Sequence, residues 1–482
     1  MTAARCNAGA VTYIEKNKRG GRVAVDQSSS SVRDDNGSVT SEKLPGRIVA
    51  AYAALTLPTA ALGLPITVYL PPFFAKEMGL GLATVGLVFT LARLWDVVTD
   101  PVMGILVDKF PSRWGRHKHW IAFAVPILML ATWFIYMPSV EPHTAGYLLG
   151  WLVVLYIGYT FLAIAHQSWG TELTSDYNER SRLYGWREVV SIVGMVTVLI
   201  LPAVLERSGA DTYKKIASMG WYLLILLPVV SVFTLGIVPE RKAHVPASIP
   251  LGKALTTMLQ NQPLRRVLLA DISIAFAIAV SGSTYIFLAT WVFEQAIYAS
   301  LVLLAFFVSG LLAMPLWMKL SYRLSKHTAL MVAMVYACVS LLLFPFVATP
   351  GNLVGLVVAT IAYGSAFGAG PMISRAMMAD LADMDQLETG VKRAGLFFAL
   401  LTTTNKVGAA VSVSICYLIL GALGFDPAAE TNSDGAISGL MWTFVLMPCV
   451  CFGIAALALR NYPLDREKHS EIQLRLKDLE QN

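Results

Sequence analysis

The sequence lacks a Gly-x-x-x-x-Gly-Lys-Ser/Thr run, so a phosphate-cradling loop for ATP is excluded as an energy source. No haem, quinone or hydrolase signature is present, and no nucleophile–base pair stands out, which argues against an enzyme and against a cofactor. Cysteines are few. None has zinc-ligand spacing with histidines, and Cys338, Cys416, Cys449 and Cys451 sit in apolar segments, where packing is the expected role. Charge is scarce as well: 14% of residues are charged against 56% hydrophobic, and the net charge of +6 is too slight to suggest nucleic acid. The first forty-odd residues have no apolar core. They do not read as a cleavable signal peptide but as a polar, Ser-rich, disordered tail.

What is there instead is apolar length. About twelve stretches, from 47–73 to 436–459, each reach the roughly 20 residues that a helix needs to cross a bilayer. The expected fold is an all-α membrane protein of twelve transmembrane helices. Basic residues crowd alternate connections, as in Lys109, Arg113, Arg116 and Lys118, while 140–145, 294–297, 349–352 and 425–435 are nearly free of them. The positive-inside rule then places both termini in the cytoplasm. The longest internal connection follows the sixth span, which fits two parallel six-helix repeats around a midplane site. The expected organisation is a cytoplasmic tail over 1–44, a six-helix bundle over 45–238, a cytoplasmic linker over 239–265, a second bundle over 266–460 and a tail over 461–482. The segment Ser470 to Gln481 reads as a short amphipathic helix.

Arg93, Asp96 and Asp100 lie inside the second apolar stretch. An ionised Asp in hydrocarbon costs roughly 3 kcal/mol on insertion scales, so it marks a task. At i, i+3 and i+7 the three groups share one helix face. Pro101 cannot donate its amide, which frees the carbonyl of Val97. Two carboxylates with one arginine suit a hard cation such as Na⁺, or a shared proton. Thr160 can turn a hydroxyl toward the same point. Lys406 is deep in the eleventh span and needs a partner, for which the aspartates are the obvious candidates. His166, with Tyr159 and Trp169 as stacking rings, is a candidate substrate contact. Asp108, Arg113, Arg116, Asp176 and Arg180 are candidate gate residues whose pairs form in one conformation only. Asp380 is expected to join them by pairing with Lys392 and Arg393. Asp271 reads as a helix-end acid.

Three motifs then occur in order. The first is Ala92-Arg93-Leu94-Trp95-Asp96…Thr99-Asp100-Pro101-Val102-Met103-Gly104 with Ser112-Arg113-Trp114-Gly115-Arg116. The second is Glu172-Leu173-Thr174…Asp176-Tyr177-Asn178-Glu179-Arg180. The third is Met378-Ala379-Asp380…Glu388-Thr389-Gly390…Arg393…Gly395-Leu396, followed by Lys406-Val407-Gly408. Together they resemble the glycoside–pentoside–hexuronide:cation symporters, the melibiose-carrier branch of the major facilitator superfamily. The resemblance covers about 45 to 460. It implies the major facilitator fold, alternating access and a coupling cation, Na⁺ or H⁺, on Asp96 and Asp100 with help from Thr160. It gives Lys406 the link between cation and solute, and Arg187 a place beside the substrate. It also implies a bilayer-embedded monomer in a plasma membrane, the inner membrane of a bacterium, carrying a small organic solute.

The sequence departs from that pattern in one region. The first-helix aspartate that grips sugar hydroxyls is missing, with Ala60 close to its position, and Ala163 replaces a fourth-helix polar group. Coupling is retained while galactoside recognition is not expected. Lysolipid carriers share the family, so an amphipathic solute is an alternative. A non-transporting membrane sensor on the same scaffold is an alternative of another class.

Overall fold

The computed structural model describes residues 43–110, 112–138, 144–174, 177–240, 260–390 and 394–481. Gly46–Asn482 forms one compact unit. Among the described residues, twelve helices are long and apolar enough to cross a membrane, and no strand occurs. They are α1 Gly46–Lys76, α2 Leu82–Lys109, α3 Lys118–Tyr136, α4 Ala145–Leu173, α5 Tyr177–Arg207 and α6 Thr212–Ile237 in the first bundle. The second bundle has α7 Gln262–Val292, α8 Ala299–Arg323, α9 Lys326–Val347, α10 Leu353–Thr389, α11 Ala394–Ala422 and α12 Asp434–Leu459. A thirteenth helix, α13 Arg466–Gln481, follows. It begins four residues before the expected amphipathic segment, because Asp465 caps it by accepting from Lys468 N at 2.9 Å.

The outer surface is apolar. Leu312, Val354, Phe346 and Val232 are each more than 70% exposed, as lipid-facing side chains must be. Helix starts are capped: Asp211, Asn261, Ser325 and Ser433 each accept a backbone N–H at the start of α6, α7, α9 and α12.

Prolines set the breaks. A proline ring clashes with the carbonyl four residues earlier. Pro58 faces Ala54, where the first segment of α1 ends, and Pro72 faces Val68, where the second ends. Pro371 faces Phe367, where the first segment of α10 ends. These breaks leave α1 and α10 bent around the central space.

The bundles meet along α2–α11, α5–α8 and α1–α7. At one end they are tied closely. Thr90 Oγ1 of α2 donates to Ala410 O at 2.7 Å, and Ser414 Oγ of α11 donates to Gly86 O at 2.8 Å. A Cβ on Gly86 would sit 3.1 Å from the Ser414 backbone, so glycine is what lets the helices approach. Beside this seam, Glu206 of α5 accepts from Ser300 N at 2.8 Å and Ser300 Oγ at 2.7 Å on α8, and Tyr69 of α1 lies 2.7 Å from the same hydroxyl. Glu206 is buried. At the opposite end the bundles are bridged by Glu188 and Arg375, 3.1 Å apart and both about half exposed. The bundles are therefore held by buried contacts at the Glu206 end and by a half-exposed ion pair at the other.

Candidate functional site: a carboxylate pair beside a central cavity

Helix α2 carries Arg93, Asp96 and Asp100 on its inner face while Trp95 and Val98 of the same turns are exposed, at 47% and 69%. Asp96 is fully buried. Thr160 of α4 donates to Asp96 Oδ1 at 2.6 Å and lies 3.1 Å from Asp100 Oδ1. A hydroxyl has one proton. It can serve only one of these carboxylates, so the second oxygen pair needs a proton or a cation. Lys406 crosses from α11. Its Nζ lies 2.6 Å from Asp100 Oδ2 and 2.9 Å from Asp96 Oδ2, with hydrogen-bond geometry only toward Asp100. Arg93 lies 3.8 Å from Asp96, and its guanidinium stacks 4.7 Å from the centre of the Tyr156 ring. Two negative groups thus meet two positive ones. Ionised groups this deep persist only when paired in this way.

Among the described residues no group of three or more His, Cys, Asp or Glu side chains is arranged to hold a metal ion. Two carboxylates and a hydroxyl suit a hard monovalent ion or a proton, not a transition metal. The ammonium of Lys406 now stands where such a cation would supply positive charge.

Next to this cluster is a cavity of about 500 Å³ between the bundles. The aspartate pair and Lys406 do not line it. The neighbours Asn405 and Tyr159 do. Asp271 also lines it and is 4% exposed, so it is not a helix-end acid. Thr404 donates to Asp271 Oδ2 at 3.0 Å. Glu188, Ser191 and Arg375 complete the polar wall. Reading the residues in order missed these groups. The available signal was that each is a polar residue within an apolar stretch, though Asp271, Glu188 and Arg375 lie near its ends.

Three expected substrate contacts fall elsewhere. His166 is buried, with Nε2 2.9 Å from Tyr52 O, and Tyr52 Oη donates back to His166 O at 2.9 Å. One of its two ring nitrogens is used in joining α4 to α1. Trp169 is fully buried and donates to Pro239 O at 3.1 Å, fixing the exit of α6. Arg187 packs its guanidinium 5.8 Å from the Tyr184 ring. It is the next residue, Glu188, that faces the cavity, and one residue turns a helix by about 100°. Tyr159 alone of the four lines the cavity.

The gate residues also divide. Arg116 pairs with Glu172 at 3.1 Å, and Glu240, just beyond α6, accepts from the backbone N–H of Arg116 at 2.5 Å and of His117 at 2.6 Å. Burial raises the pKa of the Glu240 carboxyl, yet bonds from the His117 ring and backbone amides hold it below its ordinary value overall. This network lies inside the first bundle, at the end where Arg113 is exposed. Asp380 pairs with Lys326 at 2.5 Å and with His469 of α13 at 3.2 Å. Both partners belong to the second half, and the contact seats α13; the expected partners of Asp380, Lys392 and Arg393, lie outside the described residues. Asp176 and Arg393 lie outside the described residues, as do the side chains of Asp108 and Arg180.

The family model described as MFS/sugar transport protein matches residues 51–466. The chain belongs to that family. It is 26% identical to the isoprimeverose transporter of Lactiplantibacillus pentosus, over 83% of this chain and 85% of that protein. It is 24% identical to the glucuronide carrier protein homolog of Escherichia coli (strain K12), over 84% and 89%. The sodium-dependent lysophosphatidylcholine symporter 1 of Homo sapiens is 20% identical, over 83% and 80%. The crystal structure of nucleoside transporter NupG superposes with a TM-score of 0.60 at 15% identity, covering 87% of this chain and all of that one. That likeness is one of fold. A major facilitator protein of twelve membrane helices is a transporter, not an enzyme.

Proposed function

We propose that this protein is a cation-coupled secondary symporter that moves a glycoside or another small organic solute by alternating access. The observation that carries the reading is the convergence of Asp96, Asp100 and Thr160 from one bundle with Lys406 from the other. A cation, Na⁺ or H⁺, entering between Asp96 and Asp100 competes with the Lys406 ammonium for the same carboxylates. Once displaced, Lys406 no longer pulls α11 toward α2. Asn405 lines the cavity and Thr404 holds Asp271, so a shift of α11 reaches the solute directly. This supplies the differential interaction that coupling between two ligands requires.

The basic loops face the cytoplasm in this reading, so the protein lies in a plasma membrane with its inner end open and both termini inside. Arg93 adds a second positive charge beside Asp96, and the Glu188–Arg375 pair lies where the inner end would close. Three relatives are named for sugars or glycosides, at 23–26% identity, while the lysophosphatidylcholine symporter is 20% identical. That makes the lysolipid reading the weaker one.

Uptake into proteoliposomes with an imposed Na⁺ or proton gradient, over a panel of glycosides and lysolipids, tests the proposal. Gradient-driven accumulation that disappears in Asp96→Asn is expected. Equal uptake with and without either gradient would refute it.

A further inference from the structure

We propose that Asp271 is the hydrogen-bond acceptor for the solute's hydroxyls, and that the solute is a glycoside with an apolar aglycone, its sugar ring at Asp271 and its aglycone on the Phe306 cluster. The inference rests on the symport reading and deepens it by naming the solute's chemistry.

Asp271 is 4% exposed, yet its protein partners are few. Thr404 Oγ1 donates to Oδ2 at 3.0 Å, and among the described residues no hydrogen bond reaches Oδ1. A buried carboxylate is retained only when its lone pairs are met. The cation whose charge acts on it, Arg375, is tied to Glu188 at 3.1 Å. What remains for Oδ1 is a donor entering through the cavity that Asp271 lines.

The opposite wall offers one other carboxylate, Glu188 of α5, and Arg375 holds it at 3.1 Å. On α1 the lining side chains that carry oxygen are Thr59 and Thr67, neutral hydroxyls whose protons are directed at carbonyls of their own helix, Thr56 O at 2.8 Å and Gly63 O at 3.2 Å. Ala60 and Gly63 beside them offer no polar atom. Solute hydroxyls therefore find their charged acceptor on α7, in the second bundle.

The rest of the cavity is divided by chemistry. Every phenylalanine lining it belongs to the second bundle, and Phe306 is the centre of the group, with ring centroids 5.3 Å from Phe307 and Phe367 and 5.5 Å from Tyr363. Ile278 of α7 lines the cavity with Phe306 and Phe367. It is seven residues beyond Asp271, which is about 10 Å along the helix axis. The polar acceptor and the aromatic surface are thus separated by roughly the length of two linked six-membered rings, one hydroxylated and one apolar. Carbohydrate hydroxyls satisfy the carboxylate, and an aryl aglycone offsets or stacks edge-on against the phenylalanines.

The test uses purified full-length protein in detergent at fixed, saturating NaCl. The probes are p-nitrophenyl glycosides, their parent free sugars and lysophosphatidylcholine, with affinity read by titration calorimetry. Wild type is expected to bind one aryl glycoside more tightly than its parent sugar. Asp271→Asn should weaken that glycoside by about 10- to 100-fold, since bonds to an ionised acceptor are the strong ones. The NaCl-induced rise in melting temperature should persist in Asp271→Asn, which shows that the variant is folded and its cation site intact. Phe306→Ala should weaken the aryl glycoside while leaving the free sugar's affinity within about twofold. Unchanged glycoside affinity in Asp271→Asn, or equal losses for glycoside and sugar in Phe306→Ala, overturns the inference. So does wild type that responds to cation but binds no glycoside, or prefers lysophosphatidylcholine, though symport then stands. Wild type that responds to neither cation nor solute overturns the symport reading with it.

Discussion

Lys406→Ala is the most telling perturbation of the carboxylate pair. The substitution removes an ammonium 2.6 Å from Asp100 and 2.9 Å from Asp96, of which Asp96 is fully buried. Breaking a buried ion pair by deleting one partner costs about 3–5 kcal/mol. Asp100 keeps 25% exposure, which places this case near the lower bound, about 3 kcal/mol. The loss should appear in cation-free buffer as a lower melting temperature. Cation should restore much of it, because the ammonium that competed for the carboxylates is gone: at 100 times its dissociation constant a ligand contributes about 2.7 kcal/mol. The apparent cation affinity should rise by about tenfold or more, each decade being worth about 1.4 kcal/mol. Solute accumulation should fail even so, since the link from the cation to α11 is cut. Thermal melts against NaCl concentration, with isothermal titration of Na⁺, read both effects. A second arm separates charge from packing. In Lys406→Ala/Asp100→Asn one positive and one negative group are gone, leaving Asp96 with Arg93, so the double variant should be more stable than Lys406→Ala alone. A single variant that melts like wild type without cation and binds Na⁺ no more tightly would refute the competition argument. A double variant whose losses simply add would assign Lys406 to packing.

Asp96→Asn and Asp100→Asn should each abolish uphill accumulation in proteoliposomes while leaving the protein folded, because each removes a charge with little change of shape. Glu240→Gln should lower the melting temperature above the carboxyl's ordinary pKa of 4.5 and progressively less below it. The folded-state value is depressed, so the stabilisation is present above the unfolded value and is lost as pH falls through the folded one; a difference from wild type that grows toward acid pH would contradict this. Glu206→Gln should loosen the end where buried contacts hold the bundles, since the amide keeps one acceptor oxygen where the carboxylate uses two. Thiol labelling of Gly63→Cys, at a cavity position where a Cβ meets nothing within 4 Å, should then rise severalfold from that end; an unchanged labelling rate would remove Glu206 from the closure.

The carboxylate pair was legible in the sequence because its signal is energetic. Charges inside an apolar run are costly wherever the helix lies, so Asp96, Asp100 and Lys406 stood out and their mutual need suggested their contact. The breaks in α1 and α10 were encoded just as locally, in Pro58, Pro72 and Pro371 acting four residues back. The cavity wall was less legible because it depends on helix rotation, which sequence spacing does not give for helices apolar nearly all round. Arg187 and Glu188 are adjacent, and only the packed α5 decides which of them faces the interior. His166 and Trp169 looked functional for the same reason: a polar aromatic atom in a span needs a partner, and backbone carbonyls of Tyr52 and Pro239 provide one without any ligand. Asp380 lies a short loop from Arg393, yet it is met by Lys326 and His469, distant in sequence and near in the fold.

Register on α11 explains how two sites so differently built can answer to one another. Thr404, Asn405 and Lys406 are consecutive, so their side chains fan out by about 100° each and point to three places. Thr404 reaches Asp271 within its own bundle, Asn405 lines the cavity, and Lys406 crosses to Asp96 and Asp100 of the other bundle. Helix α11 also forms the α2 seam at the Glu206 end, through Ala410 and Ser414. A rigid helix cannot rotate or tilt to release Lys406 without moving the other two contacts and straining the seam one to two turns away. In the proposed scheme, cation at the aspartates, solute at Asp271 and closure at Gly86 are three loads on one rod. Coupling in this protein needs no longer pathway than that single turn of helix.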